Sequence, residues 1–102
     1  MAQEKTPTAK LLARYIRDLG YKVAILNRGY RAKWKGEVGI VSDGNQIFMS
    51  ADQAGDEAYL LARSLPDIPV LIGTDRTITG KYAVDNFNVD VVILDDGYQH
   101  WQ

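Results

Sequence analysis

The sequence contains no cysteine among its 102 residues. This absence excludes disulfide bonds, thiolate metal ligands and a cysteine nucleophile, and it is compatible with a cytoplasmic protein. His100 is the single histidine, so a metal site built from several histidines is excluded too. No apolar run approaches about eighteen residues and no charged-then-apolar leader opens the chain, so we expect neither a membrane span nor a secretion signal. A net charge of −1 provides no overall basic field that would attract nucleic acid.

Helical and strand patterns alternate along the chain, which has the length of one domain. Apolar residues recur at helical spacing after Thr6-Pro7, and short apolar runs bounded by turn residues indicate buried strands. This alternation predicts an α/β fold with a mostly parallel sheet and flanking helices. The predicted helices cover residues 7–19, 52–65 or 55–65, and 74–87, and the predicted strands cover residues 23–26, 38–41, 69–73 and 91–94, with a short hairpin near 47–49.

Two adjacent carboxylates, Asp95 and Asp96, follow the last apolar run. Ligands of open α/β sheets bind beyond the carboxyl ends of the strands. Mg²⁺ prefers one or two carboxylates together with water and phosphate oxygens. The pair therefore predicts a magnesium site, whereas the simpler interpretation is a strand that ends in a solvated Asp-Gly turn.

Three further clusters allow both a structural and a chemical interpretation. Lys5-Thr6 at a helix start suits a phosphate site, but a threonine N-cap explains it equally. Asp56-Glu57 lies in a first helical turn, where the helix dipole stabilises carboxylates. The third cluster is a cationic and aromatic segment, which suits either a solvated loop or a surface facing phosphates or anionic lipid: Tyr21, Lys22, Arg28, Tyr30, Arg31, Lys33, Trp34 and Lys35.

Taken together, these motifs resemble the tetraacyldisaccharide 4′-kinase family, and the resemblance covers essentially the whole chain. It implies an ATP-dependent transferase that phosphorylates the 4′-hydroxyl of a lipid A precursor at the cytoplasmic face of the inner membrane. The resemblance is carried by Lys5-Thr6-Pro7, Arg28-Gly29-Tyr30, Ser42-Asp43-Gly44, Ala54-Gly55-Asp56-Glu57, Gly73 with Asp75-Arg76, and the run from Ile93 to His100.

The resemblance also implies roles for individual residues. Asp56 would be the catalytic base, and Glu57 would support the metal or water. Lys5 and Thr6 would hold the ATP phosphates, and the metal ligands would be Asp95, Asp96 and Thr6. Around this centre the resemblance places Asp43, Gln99 and His100, and it implies a substrate loop with Arg28, Tyr30 and Arg76.

The start of the chain departs from the family pattern. The glycines that precede Lys-Thr in a Walker A loop are replaced by Ala2, Gln3 and Glu4, and the strand before that loop is absent. We therefore expect a P-loop NTPase-like core without its first strand, little turnover by this chain alone, and self-association through an open sheet edge. The alternative function is a non-catalytic truncated α/β module. A phosphorelay receiver domain also uses paired acids at strand ends, but it carries them early in the chain.

Overall fold

The computed structural model describes residues 8–95, which form one sheet with helices on both faces. Among these residues no helix has the length and apolar character needed to cross a membrane. In chain order the elements are α1 (Thr8–Asp18), β1 (Val23–Asn27), β2 (Gly39–Ser42), α2 (Ala51–Ala54), α3 (Asp56–Ser64), β3 (Val70–Ile72), α4 (Arg76–Phe87) and β4 (Val91–Asp95).

The four strands lie in the order β2-β3-β1-β4. β3 and β4 both pair with β1 in parallel, which confirms the predicted mostly parallel sheet. β2 pairs with β3 in the antiparallel direction. The segment that leads from β1 to β2 contains no helix, and a parallel return usually requires a longer crossover that includes one.

Both faces of the sheet are covered, which explains why β1 is buried along its whole length. On one face, α1 contacts β1 and β4, while α3 contacts β2 and β3. On the other face, α4 contacts β1, β3 and β4. Continuous apolar strands are typical of such a two-sided arrangement.

The packing of α1 differs from the sequence prediction. The apolar residues that recur at helical spacing after Pro7 would suit a buried helix face, but the structure buries Ala9 and Ala13 and half-buries Ile16. Small alanine side chains allow the helix to approach the sheet closely. The larger apolar side chains are exposed instead: Leu11, Leu12, Tyr15 and Leu19.

The exposed apolar face of α1 points away from α3. Arg14 and Arg17 donate to the carbonyl oxygens of Ser64 and Pro66, so their side of α1 faces the end of α3. Because successive helical residues turn by about 100°, Leu12, Tyr15 and Leu19 lie on the opposite side. That side is next to β4, which pairs only with β1 among the described strands.

Gly55 divides the second predicted helix into α2 and α3. Ser50 and Gln53 form a capping box at the start of α2. Gly55 has a φ of 92°, and a Cβ atom at this position would lie 2.7 Å from the carbonyl oxygen of Tyr30. Glycine is required here because it has no side chain and tolerates positive φ. Asp56 and Glu57 thus begin a new helix directly beneath the loop after β1.

Candidate active site

Asp95 lies at the carboxyl edge of the parallel strands, opposite Asn27 at the end of β1. The side-chain amide of Asn27 donates to Oδ2 of Asp95 over 3.3 Å. Asn27 is only 2% exposed, and its Oδ1 accepts a hydrogen bond of 2.7 Å from the backbone N–H of Gly29. Asn27 therefore orients Asp95 and also anchors the loop that follows β1.

Sequence reasoning did not single out Asn27. The signal available was a polar residue at the end of an otherwise apolar strand, directly before Arg28-Gly29. A buried side-chain amide requires hydrogen-bond partners, but the sequence does not show that Asp95 is one of them.

Glu57, at the start of α3, is influenced by the charge of Asp95 at this edge. Partial desolvation raises the pKa of the Glu57 carboxyl above its ordinary value of 4.5, and the negative charge of Asp95 raises it further. Asp56 is exposed beside Glu57 at the first position of α3. Of the predicted carboxylates, Glu57 thus lies within electrostatic range of Asp95, and Asp56 is its neighbour in the chain.

This arrangement fits a divalent cation. Two carboxylates that repel each other are stabilised by a metal ion between them, and oxygen donors suit Mg²⁺. Residues 8–95 contain no group of three or more candidate metal ligands. A magnesium site at Asp95 would therefore take most of its ligands from water and phosphate oxygens, which Mg²⁺ commonly retains.

A cavity of about 290 Å³ opens on the same edge, between the loop after β1 and the end of β3. Arg28 and Lys35 give it positive charge, and Trp34 provides an aromatic wall. Tyr30 is exposed nearby in the chain, with the Arg31 guanidinium 5.4 Å from its ring centre. Arg76, the first residue of α4, is also exposed. Of the three predicted substrate residues, Arg28 lines this cationic cavity, and Tyr30 and Arg76 are not among its lining residues.

Asp43 does not lie at this edge, in contrast to the sequence prediction. Because β2 runs antiparallel to β3, its end at Ser42 lies opposite Val70, where β3 begins. Oδ1 of Asp43 accepts hydrogen bonds from the backbone N–H groups of Gln46 and Asn45, and these bonds lower its pKa. Asp43 therefore closes a turn at the opposite edge of the sheet.

The predicted cationic and aromatic segment is divided in the same way. Tyr21 and Lys22 precede β1 and lie beside Asp43, around a cleft of about 480 Å³ at the amino edge. Only the part from Arg28 onward follows the carboxyl end of β1. Five predicted site residues lie outside the described residues: Lys5, Thr6, Asp96, Gln99 and His100.

Comparisons with known proteins show the family to which the chain belongs. The family model of tetraacyldisaccharide-1-P 4′-kinase (LpxK) matches residues 2–102. The tetraacyldisaccharide 4′-kinase of Syntrophus aciditrophicus is 56% identical over 94% of this chain and 26% of its own length. The kinase of Desulfotalea psychrophila is 48% identical over 94% of this chain and 28% of its own. The chain therefore spans about a quarter of these relatives.

A solved structure shows the same fold. LpxK from Aquifex aeolicus in complex with ATP superposes with a TM-score of 0.81 and 40% sequence identity, over 98% of this chain and 31% of that one. The family model covers nearly every residue, and the similarity extends from sequence to backbone. The chain belongs to the tetraacyldisaccharide 4′-kinase family.

Proposed function

We propose that this chain supplies part of the active site of an ATP-dependent kinase that phosphorylates the 4′-hydroxyl of a lipid A disaccharide precursor. The observation that carries the proposal is the position of Asp95 at the carboxyl edge of the parallel strands, held by the buried Asn27, with its charge adding to the desolvation that raises the pKa of Glu57. Phosphoryl transfer depends on a metal, a phosphate cradle and a base placed together. Family membership favours this function over a non-catalytic module.

The carboxylates have different roles in this proposal. Asp56 accepts the proton of the attacking sugar hydroxyl, because it is exposed beside the metal site. Glu57 and Asp95 hold Mg²⁺ together with Asp96, and Asn27 keeps Asp95 in position. When bound, Mg²⁺ neutralises charge on the transferred phosphoryl group.

The remaining predicted residues bind the two substrates. As the family resemblance implies, Lys5 and Thr6 would contact the ATP phosphates, Thr6 would also be a metal ligand, and Gln99 and His100 would lie beside the metal. Arg28, Tyr30 and Arg76 contact the lipid substrate. The name of the family includes a 1-phosphate on that substrate. We propose that Arg28 and Lys35 bind this phosphate in the cavity beside Trp34, because a guanidinium and an ammonium both suit an anion.

Two properties of the molecule extend the proposal. We propose that it acts at the cytoplasmic surface of the inner membrane, where its lipid substrate lies. We also propose that copies associate through the open edge of β4, beside the exposed Leu12 and Tyr15. Because the chain spans about a quarter of its relatives, we expect nucleotide binding with little turnover by these 102 residues alone.

Calorimetric titration of Mg-ATP tests the proposed site. We expect the unmodified chain to bind Mg-ATP and the Asp95→Ala/Asp96→Ala variant to lose binding, because the metal ligands are removed. The control Asp18→Ala/Asp85→Ala removes two exposed surface carboxylates that pair with Arg17 and Lys81, and it should bind normally. Absence of heat with the unmodified chain would contradict the nucleotide site and support the non-catalytic module.

A further inference from the structure

The loop after β1 contains more positively charged side chains than the proposed phosphate contacts involve. Arg28 and Lys35 have a proposed phosphate contact, whereas Arg31 and Lys33 do not. Four cations lie within residues 28–35, here called the basic loop, and this segment contains no acidic residue. All four are exposed, and none forms an ion pair with a residue that the structure describes. They are Arg28, Arg31, Lys33 and Lys35.

The backbone of the basic loop is held against the body of the domain. The N–H groups of Lys33 and Trp34 donate to the carbonyl oxygens of Asp52 and Gln53, both over 3.1 Å. Ala32 and Trp34 pack against the main hydrophobic cluster. Exposure alternates from Ala32 to Lys35, so Lys33 and Lys35 project outward, and Arg31 is exposed in the turn that precedes them, where its φ is 63°. The cations are therefore arranged before any partner binds, which limits the entropy lost on binding.

An aromatic side chain accompanies these charges. Tyr30 is 59% exposed, and the guanidinium of Arg31 lies over its ring. Tyrosine next to cations is typical of protein surfaces at the interface between lipid headgroups and water. The chain as a whole has a charge of −1, and Glu37 and Asp52 border the loop, so the positive surface is a local patch rather than a groove that follows a nucleic acid backbone.

We propose that the basic loop is a docking surface for a bilayer that contains anionic lipids. Asn27 links the start of this loop to Asp95, so docking here would hold the carboxyl edge of the sheet close to the membrane. The inference deepens the membrane location given under the proposed function and rests on it for the choice of lipid as partner. It requires neither ATP nor catalytic turnover.

Vesicle co-sedimentation of the full chain tests this surface. We compare phosphatidylcholine vesicles with vesicles that also contain phosphatidylglycerol, and expect binding only to the second. Each lysine or arginine near an anionic surface strengthens partitioning about fivefold. The Arg31→Gln/Lys33→Gln/Lys35→Gln variant should therefore weaken binding about 100-fold, and added salt should weaken binding of the unmodified chain.

Matched variants test whether binding depends on the position of the charges in the basic loop or only on the total charge of the protein. Lys22→Gln/Arg63→Gln/Lys81→Gln removes the same charge from exposed positions outside the loop, and should retain most of the binding. Lys33→Arg/Lys35→Arg preserves the charge and should bind like the unmodified chain. Circular dichroism melts confirm that each variant is folded. Equal losses in the two triple glutamine variants would overturn the proposal.

The same assay distinguishes a lipid surface from other anions. Inorganic phosphate and sodium chloride are added to the vesicle-bound protein at equal ionic strength. Phosphate should release no more protein from the vesicles than sodium chloride does. Specific release by phosphate, or tighter binding to a single-stranded RNA oligomer than to anionic vesicles, would overturn the proposal. Vesicle binding without Mg-ATP binding would contradict the catalytic site alone, whereas Mg-ATP binding without vesicle binding would contradict only the docking surface.

Discussion

At the scale of single residues, the candidate site depends on the electrostatic effect of Asp95 on Glu57. Glu57 is exposed, but desolvation and the charge of Asp95 raise its pKa. The folded protein therefore binds a proton at Glu57 more readily than the unfolded chain does. Stability consequently falls as pH rises from 4.5 through the raised pKa, and the cost persists at higher pH.

The first prediction concerns this pair. Asp95→Asn removes the neighbouring charge, so we expect the pKa of Glu57 to fall but to remain above 4.5, because the desolvation persists. Carbon-detected NMR titration of the Glu57 carboxyl measures the change. Asp43→Asn is the matched control, since Asp43 lies at the other edge of the sheet and should leave the Glu57 titration unchanged. An unaltered pKa in Asp95→Asn would contradict the proximity of the two groups.

At the scale of secondary structure, Gly55 decides how the two carboxylates of α3 are presented. Its positive φ ends α2 and starts α3, and its missing side chain makes room for the carbonyl oxygen of Tyr30. The sequence allowed the helix to begin at either Asp52 or Gly55. The structure contains both starts, because the Ser50 capping box stabilises a short separate helix before Gly55.

Two glycine-to-alanine variants should therefore change stability in opposite directions. Gly55→Ala combines positive φ with a contact of 2.7 Å, so we expect a loss of about 1–3 kcal/mol in the free energy of unfolding. Gly80 lies inside α4, where the nearest atom to an added Cβ is Leu26 Cδ1 at 3.5 Å. Gly80→Ala should stabilise the protein by roughly 0.5–1 kcal/mol. Urea denaturation measures both, and equal effects would show that Gly55 is not constrained.

At the scale of the whole molecule, the edge of β4, which pairs only with β1 among residues 8–95, lies next to the apolar face of α1. Leu12 is 44% exposed and Tyr15 is 63% exposed on that helix, whereas Leu94, which is 48% exposed, projects from the opposite face of β4. An accessible strand edge offers backbone donors and acceptors to another strand. Adjacent apolar surface adds a hydrophobic contribution to any such pairing.

We expect the chain to self-associate through this side. Light scattering across a concentration series should show a mass above that of a monomer, and Leu12→Glu/Tyr15→Glu should lower it to the monomer, because buried unpaired carboxylates oppose association. Leu60→Glu/Val84→Glu changes two exposed apolar residues elsewhere and serves as control. A monomer at high concentration for the unmodified chain would contradict the proposal.

The sequence alone determined the alternation of buried strands and helices, which defines the α/β class. It also showed that acidic residues follow the last strand and begin α3. It also carried the motifs by which the family is recognised. These features are local, because apolar spacing, turn residues and short motifs are set by neighbours along the chain.

The tertiary structure decided how these local features meet. The antiparallel direction of β2 moved Asp43 to the far edge, and the close approach of Ala9 and Ala13 to the sheet turned the leucines of α1 outward. The pairing of Asn27 with Asp95 and the approach of Glu57 join residues that are far apart in the chain. Such contacts depend on the packing of whole elements, and the spacing of residues along the sequence does not specify that packing.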